Sequence, residues 1–220
     1  LVLLLVSFIA VLPMFAAVGM KARQVPEEFA VRLMVQLAPT VVFIGALFAT
    51  NGIVSNDRRV GYYRFVFAKP LSPVAFYAMT FATCVLGELV VTLALNGVFA
   101  LAIRPMFRPE LYAAVLVMFI AYAGIGFLLS AVLRLDWLSL VTVFLIAQLG
   151  WSVWGNQTGW RHWVLYVLPP VHRSESVYAL FTAKPGVEMP WASIAWLAGY
   201  GLGCFALGLL AVRKRPLGTG

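Results

Sequence analysis

Long apolar runs separated by short polar breaks leave this chain little choice of fold. Residues 1–20, 33–54, 76–103, 111–133, 137–155 and 191–212 are almost continuously apolar. At 1.5 Å of rise per residue, such runs match the roughly 30 Å hydrocarbon core of a bilayer. Inside lipid, backbone N–H and C=O groups must be satisfied within the segment itself, which restricts these runs to helices. The expectation is an all-α membrane protein: one transmembrane domain over residues 1–220 with six spanning helices. Pro13 is a kink candidate in the first of them. Composition agrees, with 63% of the 220 residues hydrophobic, 11% charged and a mean hydropathy of +0.95. The chain begins LVLLLV without a Met, so further residues are expected upstream.

The net charge of +8 does not point to nucleic acid. The basic residues sit in short clusters at the ends of apolar runs, where anionic lipid headgroups account for them. Cys84 and Cys204 both fall inside expected spans and read as small apolar residues, not as a disulfide or metal pair. Six spans put both ends on one side of the membrane. Lys and Arg divide evenly between the two sides, so the positive-inside rule does not orient the chain. The tail Arg213-Lys214-Arg215 tips the balance toward its own side as cytoplasmic.

The most ordered break is residues 55–75, within SNDRRVGYYRFVFAKPLSPVAFY. At about 100° per residue a helix over 55–69 aligns Val60, Tyr63 and Phe67 in an apolar stripe. Arg58 and Lys69 point the other way, with Arg59 and Arg64 on the flanks. Tyr62 and Phe65 fall among the charges, so a helix on the membrane surface presents rings and cations to water. Pro70 and Pro73 are expected to end it. That face suits a protein partner; a basic aromatic anchor on lipid headgroups is the alternative.

Within the spans, Gln36, Asn51, Glu88, Asn96 and Gln148 must face protein or water. Glu88 is the only acidic residue in the middle of a run. It is a candidate for a substrate path or for accepting protons; the alternative is a protonated carboxyl, or one paired with Gln36, Asn51 or Gln148. Residues 156–190 differ in character. Trp160, Trp163, the prolines and a central VLYVLPPV too short to span predict interfacial or re-entrant short helices.

Motifs for chemistry are sparse. His162 and His172 are the only histidines, with Glu175 near the second, which leaves open a metal or acid–base role beside that of an interfacial polar pair. Asn156-Gln157-Thr158 matches a glycosylation acceptor, a weak three-residue pattern. Gly124 and Gly126, and Gly199, Gly201, Gly203 and Gly208, lie in apolar runs with no strand before them. They predict close helix packing, not a nucleotide loop. No G-x-x-x-x-G-K-[ST] is present, so any ATP used must be bound by another chain.

In the 55–75 segment, Asp57-Arg58 is followed by Gly61, the apolar Val66-Phe67 and then Pro70-Leu71-Ser72. With the six-span plan and the interfacial stretch before the last span, this resembles the ABC-2 type transporter permeases, the membrane subunits of a class of ABC exporters. Tyr62 stands where that family more often carries Thr or Ser. The resemblance implies a cytoplasmic coupling helix over residues 55–69, seated on a separate nucleotide-binding ATPase that holds ATP and Mg, with no cofactor in this chain. It implies that Asp57, Arg58, Arg59, Gly61, Tyr62, Tyr63, Arg64, Phe65 and Pro70 form the coupling contact. A second permease copy completes the path, for which Gln36, Asn51, Glu88, Asn96 and Gln148 are path or dimer-seam candidates. The 156–190 segment is then extracytoplasmic, the setting a bacterial inner membrane, and the chain a transport subunit, not an enzyme. An interfacial enzyme built on 156–190 and a non-catalytic membrane scaffold are the competing readings.

Overall fold

A computed structural model describes residues 27–50, 52–61, 72–102, 109–133, 136–156, 159, 165–182 and 190–214. The expected first span, 1–20, lies outside them. The described residues form seven helices: α1 (Glu27–Thr50), α2 (Ser55–Val60), α3 (Pro73–Ala102), α4 (Pro109–Val132), α5 (Asp136–Trp154), α6 (Val171–Thr182) and α7 (Trp191–Lys214). Four stretches are long and apolar enough to cross a membrane: Ala38–Asp57, Pro73–Leu101, Pro109–Val132 and Trp191–Lys214. The apolar part of α5, Leu138–Trp154, is shorter.

The helix ends follow local chemistry. Both α3 and α4 begin on a proline, whose preset φ and missing N–H suit the first helical position. Pro73 therefore starts the third apolar helix, where the sequence suggested a terminator for the preceding one. Helix α1 takes in residues 27–32, expected as part of a polar connection. At the other end of the chain, Arg213 and Lys214 occupy the last turn of α7, complementing its negative end.

Helix α4 is the centre of the bundle. It packs against α1, α3, α5, α6 and α7, and every residue from Ala121 to Phe127 is buried. Over that stretch neighbouring helices supply the cover that an apolar helix without a polar face needs. The helices around it keep apolar outer faces: Leu86 and Val90 on α3, Leu145 and Leu149 on α5, Leu202 and Leu207 on α7 are exposed. In a membrane, lipid is the natural cover for such faces.

Two features lock the neighbours onto α4. Small residues bring α4 and α7 together, with Gly124 against Gly201 and Gly208 against Phe127; Gly126 receives Thr50 of α1. The glycines expected to serve helix packing do so at these positions, whereas Gly199 and Gly203 face open space. Aromatic rings then fill the wider gaps. Phe43 meets Tyr122 and Phe144 edge-on, with centroids 5.6 Å and 5.2 Å away, and Phe81 stacks on Phe205 at 4.1 Å, joining α3 to α7.

Helix α6, from the stretch expected to hold interfacial or re-entrant helices, packs against α1, α4, α5 and α7, with Ser174 and Val177 buried. Arg173 lies 5.3 Å over the ring of Trp196, and Tyr200 Oη donates to the carbonyl of Val167 at 2.7 Å. These contacts fall toward the start of α7. Those of α2 fall at its end, so the two short helices occupy opposite ends of the bundle.

Candidate functional site

The site lies where the chain leaves α1 and makes α2. A helix exposes its first N–H groups unless something accepts from them, and the usual donor of that service is a Ser, Thr, Asp or Asn at the cap position. Here the cap position is Val54, which offers no side-chain cap. The acceptor comes from another helix. Ser130 Oγ of α4 accepts from the backbone N–H of Val54 at 3.1 Å and of Ser55 at 3.4 Å. A second tie follows half a turn on, where Tyr77 Oη of α3 donates to Asp57 Oδ2 at 3.1 Å.

Beneath these polar ties is an apolar root. Val54 and Tyr77 are fully buried and pack with Phe127 and Ala131 of α4 and Val212 of α7. The ring of Tyr77 meets Phe127 edge-on at 6.1 Å. Thr50, one turn before, donates to the carbonyl of Ala46 at 2.8 Å and rests against Gly126. Thus α2 is joined to three long helices at once, at the end of the bundle where Arg213 and Lys214 stand exposed.

Arg58 and Arg59 belong to α2, and their backbone is helical. The helix stops at Gly61, which adopts φ +73°, a left-handed conformation that glycine reaches without steric cost. Of the helix expected over 55–69, the described part runs from Ser55 to Val60 and is interrupted at Gly61. Tyr62, Tyr63, Arg64, Phe65 and Pro70 lie outside the described residues.

A second polar set runs along α3. Cys84, Glu88, Thr92 and Asn96 are spaced by four and so share one face, turned inward. Glu88 is only 4% exposed; its carboxyl abuts Gly45 of α1, and its Oε1 has no hydrogen-bond partner among the described residues. One turn back, Cys84 Sγ donates to the carbonyl of Ala49 at 3.7 Å. Two turns on, Asn96 Nδ2 donates to Tyr112 Oη of α4. The structure thus brings Glu88 and Asn96 onto one face. Gln148 is exposed on the outer side of α5 and is not the partner of Glu88. Gln36 lies in α1 without a described side chain, and Asn51 is outside the described residues.

The histidine segment gathers less. His172 stacks on Trp151 with centroids 3.5 Å apart and planes 30° from parallel, while His162 and the Glu175 side chain are not among what is described. Among the described residues no three His, Cys, Asp or Glu side chains cluster to hold a metal.

The sequence marks out the 55–75 stretch but not Ser130 and Tyr77, which hold its first residues. Neither carries a local signal. Ser130 is a lone hydroxyl near the end of an apolar run, and its partner Val54 is 76 residues away.

Fold and site define a helical membrane protein with a short, basic, tertiary-capped helix at one end. Comparison with family models, curated proteins and solved structures finds no match for this chain.

Proposed function

We propose that this chain is the permease subunit of an ABC-2 type ABC transporter. It moves a substrate such as a lipid, polysaccharide or drug across a bacterial inner membrane, using ATP hydrolysed by a separate nucleotide-binding subunit. Two permease chains form the path, and α2 with the residues after it is the coupling element on the cytoplasmic side. The observation that carries this reading is the seating of α2. A lever that transmits force needs a charged outer side for its partner and a rigid root in the spans. Here α2 has Arg58 and Arg59 in its sequence, and it is rooted on α3 through the Asp57–Tyr77 hydrogen bond, on α4 through Ser130, and on α7 through the apolar cluster around Val54. Rigid levers of this kind convert closure of a partner into exchange between inward-open and outward-open packing. The permease itself makes and breaks no bonds.

The test is affinity purification in mild detergent, identification of the co-purifying chains and an ATPase assay. Recovery of an ATP-hydrolysing partner, lost on joint Arg58→Glu and Arg64→Glu substitution, is the expected result. A chain that emerges alone, or with partners that bind no nucleotide, overturns the reading.

A further inference from the structure

A six-residue helix does not hold itself together in water, because nucleating the first turn costs more than its few hydrogen bonds return. The order of α2 must be supplied from outside, and beside the apolar root around Val54 two polar ties contribute to it. Ser130 of α4 takes the two leading N–H groups, and Tyr77 of α3 takes the Asp57 carboxylate. Both anchoring residues are fully buried, so they move only with their own helices. Ser130 lies on the same helix as Gly124, and Gly124 abuts the backbone of Gly201 in α7 with no side chain between to absorb a shift.

We propose that Ser130, with the Asp57–Tyr77 pair beside it, is the joint that carries displacement of α2 into α4 and onward to α7. Ser130 and Tyr77 are positioning residues: they touch neither the nucleotide nor the cargo. The inference rests on the permease reading and assigns to it a specific route of transmission. Close packing supports such a route, since a packed interior passes a displacement on where a loose one would dissipate it.

The experiment uses the complete complex with its ATPase in nanodiscs of phosphatidylethanolamine and phosphatidylglycerol. Hydrogen exchange is followed in peptides covering residues 120–128 and 197–205, with and without ATP and vanadate. The wild-type complex changes protection in both peptides when the ATPase is trapped. In the Ser130→Ala, Tyr77→Phe double variant that change falls about five-fold or more, the factor that one lost hydrogen bond represents. Should the double variant fail to assemble, Tyr77→Phe alone keeps the buried ring, removes one oxygen and makes the same comparison. A wild-type response in variants that still bind the ATPase overturns the inference and leaves the permease reading intact. Absence of any ATPase beside the wild-type chain overturns the reading, and the inference with it.

Discussion

Gly124 of α4 and Gly201 of α7 meet backbone to backbone. A Cβ on Gly124 would overlap the carbonyl of Gly201, and one on Gly201 would lie 2.5 Å from the carbonyl oxygen of Ile120 and 2.6 Å from Cα of Ala121. Since the obstructing atoms are main chain, they cannot rotate aside. Gly201→Ala is expected to destabilise the bundle by about 1–3 kcal/mol, the usual cost of overpacking. Gly203→Ala, two residues on and facing open space, is the control and should be near neutral. Unfolding in mixed detergent micelles reads both; equal midpoints would remove the close contact.

Glu88 presents the opposite case, a polar group buried without full compensation. Its Oε1 lacks a partner among the described residues, and a buried acceptor left unpaired costs about 1–3 kcal/mol. Glu88→Leu should therefore preserve or raise the unfolding midpoint. If Glu88 lines the path, the same variant stops transport while folding is intact. A fall in stability of several kcal/mol would reveal that the carboxyl has a strong partner.

The Asp57–Tyr77 hydrogen bond predicts a measurable coupling. Bonds to charged groups contribute about 1.5–3 kcal/mol, and this one is partly buried. A double-mutant cycle with Asp57→Ala and Tyr77→Phe should return an interaction energy within that range. Strict additivity of the two single losses would mean the pair does not hold α2.

Gly61 ends α2 in a conformation that costs other L-residues about 1–2 kcal/mol. Among the described residues no atom lies within 4 Å of where a Cβ would sit, so the cost expected there is conformational. Gly61→Val should weaken co-purification of the proposed ATPase partner, whereas Gly61→Asn, which tolerates left-handed backbone, should be milder. Indistinguishable recoveries from the two variants would mean the turn does not set the direction of the following residues.

How much of this could be read from the sequence depends on the range of the interaction concerned. Helix identity and approximate limits for 76–103, 111–133, 137–155 and 191–212 were legible, because a long apolar run in lipid has one way to satisfy its backbone. The small-residue stripe on α7 was legible as packing surface, though not which glycines are used. Local rules also placed the polar break after Val54. They failed at Gly61, since an amphipathic stripe over 55–69 says nothing about a residue free to adopt positive φ and interrupt it.

What the sequence determined by itself is therefore the class: apolar runs of spanning length, separated by polar breaks, make a helical membrane bundle. Tertiary structure alone decided that α4 is the centre, that Glu88 turns toward Gly45 while Gln148 turns outward, and that Ser130 caps a helix 76 residues away in the chain. The physical reason is common to all three. On a helix that is apolar on every side, composition gives no preferred inward face, so the choice falls to the fit between neighbouring helices.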